Sequence, residues 1–497
     1  MRISINSDLA RLLDVVKDAL DEGQTLYIVG GAVRDLLLGH SLHDLDFVMP
    51  VNPIRTAKRA AKKLGVGFFV LDDERHTSRV VYHQPEDTLF PLDFVQFTGG
   101  SLLEDLSKRD FTINAMAVSI HDLKTLIDPL GGEEDLEAGL LKACSATALL
   151  DDPVRVLRAV RLALQFDLDY APGLDDLIKA AAQHLPETSP ERQRDEFFRI
   201  LSGPDAALGM RQCFDFKIFD VLIPELSKQS AAPVSPPHTQ TLLDHTFSVV
   251  EHYASLLAVI GERAPDYVTS PWWLLQAVEV LEPFADRITD YFNEELTPTR
   301  KKTCLVLLGA LLHDIGKPAV CENDEDGHLG FSGHARVGAE IAWETTRRLQ
   351  MSNLEGTWIQ TLVLHHPSLL PMMNAEGLPE RREIYRFYHQ AGDAGIAIVL
   401  LSLAATLATS ERELEQERWM KNLWVARRLL EAWWEEYDSV ISPELFLDGN
   451  DLQDQFGISP GKAIGNMLAA LREAQASGFV ESEKEARAFV EHEMKKN

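Results

Sequence analysis

Residues 25–50 read TLYIVGGAVRDLLLGHSLHDLDFVMP, and this run leaves few choices for the fold around it. A short apolar strand, TLYIVGG (25–31), ends on two glycines, and a helix, AVRDLLLG (32–39), follows and is closed by Gly39. A second strand, HDLDFVMP (43–50), is halted by Pro50. Glycine at a strand-to-helix turn lets backbone N–H groups approach phosphate oxygens, helped by the positive end of the helix. Gly30 and Gly31 hold those places, and Arg34, in the first helical turn, reaches the same phosphates. Alternate side chains of a strand share a face, so Asp44 and Asp46 point one way and Leu45 and Phe47 the other. Two carboxylates so placed suit Mg²⁺, which positions a triphosphate and stabilises charge in an in-line displacement. Each piece alone has a plainer reading: a D-x-D pair is commonly a solvated strand edge, and a G-G pair a simple turn. Their order, packed into residues 25–50, is what points to a site.

The pattern around this run separates two kinds of chain. Residues 8–20 have helical spacing, IRTAKRAAKKL (54–64) is a basic helix, and GFFVLDD, RVVYHQ and LFPLDFVQF are further strands. Near residue 150 the strands give way to almost continuous helix. QSAAPVSPPHTQT (229–241) is the best linker, and loops are expected near 321–333 and 439–460. The aromatic run Trp419, Trp424, Trp433 and Trp434 has helical spacing and is expected in the core.

At 497 residues the chain is too long for one core. With 48 basic and 77 acidic residues its formal charge is −29, which argues against a nucleic-acid partner unless one face is locally basic. Cys144, Cys213, Cys304 and Cys321 show no C-x-x-C spacing and read as buried thiols in a reducing compartment. The start, MRISINSDLARLLDVV, lacks a basic segment followed by an apolar one, and LVLLGALL (305–312) is too short to span a bilayer. A cytoplasmic protein with no membrane contact is expected; the oligomeric state is not legible.

Five segments in order resemble the motifs of the bacterial-type tRNA nucleotidyltransferase (CCA-adding enzyme) and poly(A) polymerase family. They are GGAVRDLLLG with DLDFV, KRDFTINAMA (108–117), DPLGG (128–132), DDPVRVLRAVRLA (151–163) and ERQRDEFFRIL (191–201). The resemblance implies an α/β polymerase-type nucleotidyltransferase head followed by an all-α neck, body, HD-like domain and tail. It implies that Asp44 and Asp46 are the catalytic metal ligands, and that Gly31, Arg34 and Arg109 hold the triphosphate. Asp110 and Asn114 are candidates for ribose or supporting contacts. Asp93 is open between a third carboxylate at the metal site and a buried structural acid.

In the fourth motif, helical spacing puts Asp152 and Arg155 on one face. A carboxylate accepts from the exocyclic amine of cytosine or adenine, while a guanidinium donates to the adjacent ring nitrogen. Guanine and uracil reverse both interactions. The resemblance implies that this pair replaces a nucleic-acid template, with Arg158 and Arg161 continuing the face toward phosphate; a surface ion pair is the plainer alternative.

The second half carries His245 in LLDHTFSVVEHY, His313 and Asp314 in GALLHDIGKP, His334 in GHARVGAE, and His365 and His366 in LVLHHP. This succession resembles an HD-type metal phosphohydrolase, and imidazoles with a carboxylate suit a transition metal. The set His245, His313, Asp314 and His334 is the expected metal site. Where that superfamily ends on an aspartate, LSLAATLA (401–408) has Ala405, so little or no hydrolase activity is expected unless a neutral imidazole of His334, His365 or His366 fills the vacant position. The tail segment 448–490 resembles a helical element of the same enzymes; its SPGKAIG turn is read either as a dock for a phosphate backbone or as a plain helix start.

The expected division is a head over 1–145, a helical neck and body over 146–228 binding RNA and nucleobase, an HD-like domain over 240–410 and a tail over 411–497. The function this implies is addition of CCA to the 3′ end of tRNA from CTP and ATP, with Mg²⁺ as cofactor and a transition metal in the HD-like part. An A-adding or CC-adding enzyme, or a poly(A) polymerase, shares every motif quoted, and the segment 76–88 does not discriminate among them. A phosphohydrolase with an idle head and a non-catalytic RNA-binding protein are the readings from other classes.

Overall fold

The computed structural model describes residues 3, 5–74, 76–83, 89–232, 241–262, 269–323, 329–410 and 415–496. Most of the expected linker, part of the segment 76–88 and part of the loop near 321–333 lie outside the described residues. The chain forms two compact units, Met1–Pro204 with Gln212–Val221, and Asp205–Arg211 with Leu222–Asn497.

The first unit opens with α1 (Ser7–Lys17), β1 (Tyr27–Val29), α2 (Gly31–Leu38), β2 (Leu45–Met49) and α3 (Pro53–Leu64). It continues with β3 (Gly67–Asp72), β4 (Thr77–His83), β5 (Leu89–Gln96), α4 (Leu102–Ser107), β6 (Ala117–Ser119), β7 (Asp122–Ile127) and α5 (Gly132–Glu137). The strands make one sheet in the order β3-β4-β5-β2-β1-β6-β7. β2 and β5 are parallel, and the other neighbours are antiparallel. One face buries Leu45, Phe47 and Met49 of β2 with Val80, Leu92 and Phe94. α3 packs there against β4 and β5, turning in Ala57, Ala60 and Ala61, whose small side chains allow close approach. Its Lys58, Lys62 and Lys63 point to solvent. On the other face Val29, Val48, Leu106, Ala115 and Ala117 form a separate apolar cluster, which leaves Asp46 at its margin.

Beyond the sheet the unit is helical, with α6 (Ala148–Asp151), α7 (Arg155–Phe166), α8 (Leu174–Ala182) and α9 (Pro190–Leu201). α7 packs on α8 and α9.

In the second unit the helix Leu242–Glu262 packs against Gly395–Ser410 and Lys302–Leu312, and His334–Arg348 packs against Asn353–His365. The helix Gln416–Glu435, expected in the tail, packs with Trp272–Leu281 and Gly395–Ser410 instead. A separate C-terminal core gathers Leu447, Leu452, Leu471, Val480 and Val490. The expected loop near 439–460 contains the helix Gly449–Phe456, capped by Asp448. Trp419 is fully buried, but Trp424 is 44% exposed with Arg427 over its ring, so the tryptophan run is only partly core. Residues Arg381–Thr409 are apolar and long enough to cross a membrane, yet 72% of their most apolar window is buried in the fold. Cys213 and Cys304 are buried free thiols, and Cys144 and Cys321 are half-buried ones.

Candidate active site

The β1–α2 turn and β2 meet at Gly30. Its φ of 76° is the left-handed region, and a Cβ there would stand 3.2 Å from Arg109 Nη1 and 3.3 Å from Asp46 Oδ2. Glycine therefore serves twice: it makes the turn and lets a guanidinium and a carboxylate close on the same backbone. At Gly31 a Cβ would meet Arg34 Nη2 at 3.2 Å. Arg109 is also held by Asp105, 3.1 Å away.

β2 begins at Leu45, so Asp44 lies just ahead of it and is exposed, while Asp46 is half-buried. Desolvation and then the Asp44 charge push the Asp46 carboxyl up to about 6, against the pull of Arg109. Asp44 is raised as well, by desolvation and then by Asp93. Two hard-oxygen acids whose ionisation is disfavoured by burial and by neighbouring carboxylates form a donor set that a divalent cation would relieve. Asp93 lies in register with Asp46 on β5, and both its oxygens are taken, by Arg79 Nε and Nη2, each at 2.7 Å. That favours the structural of its two readings.

Behind the turn runs a buried polar chain. Arg34 is 7% exposed, stacks 4.0 Å over Phe166, and donates from Nη1 to Asn114 Oδ1 at 2.7 Å. Asn114 Nδ2 donates to Asp110 Oδ1 at 3.2 Å, and Arg158 Nη2 stands 3.1 Å from Asp110 Oδ2. Burial alone would raise the Asp110 carboxyl; Arg158, the Phe111 N–H and Asn114 hold it below its ordinary value. Residues from the first, second and fourth motifs are thus wired into one chain.

The fourth motif differs from the helical expectation. Asp152 is extended (φ −150°, ψ 92°) after α6, and α7 begins only at Arg155, because Pro153 separates two helices. Asp152 and Arg155 still approach, with 3.9 Å between Oδ2 and Nε. Arg155 donates to the carbonyls of Ala148, Lys108 and Arg109 at 2.8, 3.0 and 3.3 Å. The nearer partner of Asp152 is Arg192, whose Nη2 donates to Oδ2 at 2.7 Å. Arg158 and Arg161, expected to face phosphate, are paired with Asp110 and with Glu196 (2.8 Å). The sequence reading missed Arg192 and Glu196, although both lie in the quoted ERQRDEFFRIL, where arginine and glutamate four residues apart share a helix face.

In the second unit Asp314 is buried at the centre of a cluster. Its Oδ2 lies 3.2 Å from His313 Nε2, 3.7 Å from His245 Nε2 and 2.6 Å from Lys317 Nζ; its Oδ1 lies 3.6 Å from both His334 Nε2 and His366 Nε2. Two groups fit a metal ion, His245–His313–Asp314 and Asp314–His334–His366. His366 and Lys317 were outside the expected set, and His365 belongs to neither group among the described residues. Nδ1 of His313, His334 and His366 each meets the carbonyl oxygen three residues earlier, at 2.7, 2.9 and 2.8 Å, which turns Nε2 toward Asp314. Ala405 lies on the helix Gly395–Ser410 and offers no ligand.

Comparison with known proteins matches three families: Poly A polymerase head domain over residues 26–142, probable RNA and SrmB- binding site of polymerase A over 171–229, and HD domain over 275–394. An A-adding tRNA nucleotidyltransferase of Deinococcus radiodurans is 31% identical over 470 residues, covering 93% of this chain and 94% of its own. A CC-adding tRNA nucleotidyltransferase of Thermus thermophilus is 31% identical over 471 residues, covering 93% and 92%. A solved CCA-adding enzyme, 21% identical, shares the fold with a TM-score of 0.65 over 98% of this chain and 95% of that one. With its glycine turn, carboxylate pair and ordered motifs, and with relatives alike over nearly their whole length, the chain belongs to the tRNA nucleotidyltransferase and poly(A) polymerase family.

Proposed function

We propose that this chain adds CCA to the 3′ end of tRNA from CTP and ATP. The observation that carries the reading is Asp46 standing with Arg109 at the Gly30 turn, two residues beyond Asp44 along the chain. The 3′ hydroxyl oxygen bonds to the α-phosphorus, the bond to the bridging oxygen breaks, the hydroxyl proton passes to water and pyrophosphate leaves. Asp44 and Asp46 would hold Mg²⁺, which supplies Lewis-acid stabilisation of the phosphoryl charge. Gly30, Gly31 and Arg109 cradle the triphosphate, and Arg34 braces the turn from behind. Asp152 and Arg155 select the base, within the helical part that follows the head. Residues 1–145 act as head, 146–228 as RNA- and base-binding neck and body, and 240–410 as the HD-like part, on which Gln416–Glu435 packs, with the rest of 411–497 as tail. The cytoplasm, where tRNA is matured, is the compartment this reading implies.

The names of the Deinococcus and Thermus relatives favour a second reading, in which only A or only CC is added. Incubation of tRNAs lacking all, one or two of the terminal nucleotides, with CTP and ATP supplied separately, separates the two. CCA addition extends every substrate to full length when both nucleotides are present. A CC-adding enzyme stops before A, and an A-adding enzyme extends only the CC-ended tRNA. The His245, His313, Asp314, His334 and His366 cluster is a transition-metal site on this proposal.

A further inference from the structure

β2 has two flanks in the sheet. On one, β1 leads into the Gly30–Gly31 turn, with Arg109 beside it. On the other, the residues in lateral register with Asp46 run outward as Asp93 on β5, Arg79 on β4 and Phe69 on β3. Directly opposed side chains of neighbouring strands share a face, so all four stand on the Asp46 side. At a strand spacing of about 4.8 Å, Phe69 lies roughly 14 Å from Asp46.

Phe69 ends this row on the edge strand and is 57% exposed. A Cβ at Gly67 would stand 3.7 Å from its ring and 4.0 Å from Val81 Cβ, so the ring lies along the same open face as Val81. The opposite face of this hairpin, at Ser78 and Val80, is buried, and α3 packs against β4. Arg79, between Phe69 and Asp93, keeps 42% of its side chain exposed.

In phosphoryl transfer the attacking and leaving oxygens lie roughly in line through the phosphorus. If pyrophosphate departs on the β1 flank, where Gly30 and Arg109 lie, the RNA hydroxyl arrives from the β5 flank. A single strand ending there passes Arg79 and then meets Phe69. Any base stacks on an aromatic face. We propose that Phe69 is a stacking platform for an unpaired base of the RNA 3′ end, upstream of the nucleotide whose hydroxyl attacks, with the Arg79 side chain, its charge met by Asp93, lining the path. The proposal rests on the transfer reading above for the direction of approach.

The test uses the full chain and a tRNA ending before its terminal nucleotides, with 2-aminopurine at the last unpaired position. Phe69→Ala should raise KM for the RNA about tenfold, with kcat and KM for CTP and ATP unchanged, and should lose the fluorescence change on binding. Phe69→Trp should restore both. Unchanged RNA KM and fluorescence in Phe69→Ala would overturn the platform, as would a change confined to the sedimentation of the free protein, which would make the edge a protein interface. A Phe69-dependent fluorescence change in an enzyme that transfers nothing would support the platform and overturn the transfer reading alone.

Discussion

Asp152 Oδ2 accepts a hydrogen bond from Arg192 Nη2 at 2.7 Å, while Arg155, its expected partner, stands 3.9 Å away with three bonds to backbone carbonyls. The Asp152 carboxylate, proposed to read an exocyclic amine, is thus oriented from α9, and the Arg155 guanidinium, proposed to read the ring nitrogen, is fixed by the loop between α4 and β6 and by α6. Asp152→Ala and Arg155→Ala should admit UTP and GTP rather than merely slow CTP and ATP, since each base contact is worth about 1–3 kcal/mol of discrimination. Arg192→Ala should relax selectivity in the same direction with a smaller loss of rate, because the carboxylate remains but swings. Nucleotide competition assays check this; a strict CTP and ATP preference in all three variants would exclude recognition by this pair.

Asp44→Ala or Asp46→Ala should cost turnover at least about a thousandfold at saturating Mg²⁺, the scale of losing a metal that stabilises phosphoryl charge. The fold should not suffer. The Asp46 carboxyl is pushed up to about 6 by desolvation and by Asp44, so either substitution removes a repulsion. Melting temperature in the absence of metal should stay level or rise while activity disappears. Near-normal turnover in either variant would overturn the assignment.

The Arg34–Asn114–Asp110–Arg158 chain predicts a pH effect of defined sign. Asp110 is held below its ordinary carboxylate value, so its contribution is complete above about pH 4–5 and is lost as pH falls through the depressed value. Asp110→Asn leaves the partly exposed Arg158 guanidinium without its buried counter-charge and should lower stability by about 1–3 kcal/mol near neutrality. The gap between wild type and variant should narrow in acid. Denaturant melts from pH 7 downward measure it, and a constant gap would mean that Asp110 is not the group responsible.

The local order of strand, glycine turn, helix and D-x-D strand was legible because each step obeys a short-range rule. Alternation placed Leu45 and Phe47 on the buried face opposite Asp46, though the strand starts one residue after Asp44, and Gly39 closed α2 at a φ of 72°. Spacing failed where the chain broke its own period: Asp152 reads as helical with Arg155 until Pro153 divides α6 from α7. Long-range partners were out of reach in principle. Nothing in the spacing of residues 152 and 192 says that they touch, and nothing near Asp93 announces that Arg79 takes both its oxygens. At Ala405 the sequence left three histidines open as substitutes, and only the fold distinguishes them, bringing His334 and His366 to Asp314 and leaving His365 outside both ligand groups.

That last contact sets an expectation for the HD-like cluster. Burial holds the His334 and His366 imidazoles below their ordinary value, so both are neutral at pH 7 and fit to coordinate. Their Nδ1 groups are engaged with backbone carbonyls, which leaves Nε2 directed at Asp314. The full chain should therefore retain Co²⁺, Ni²⁺ or Mn²⁺ through dialysis. His313→Ala and His366→Ala should each weaken retention about 10- to 100-fold, the cost usual for disturbing a metal site's supporting shell or greater. His365→Ala, outside both ligand groups, should not. Hydrolysis is a separate question, because Lys317 Nζ stands 2.6 Å from Asp314 Oδ2 and competes there with a metal, while Ala405 adds no carboxylate. The expected outcome is metal binding measured by elemental analysis with little cleavage of 2′,3′-cyclic phosphates. Robust cleavage that disappears in His313→Ala would show that the site turns over despite Lys317, and retention unaffected by His366→Ala would remove that histidine from the ligand set.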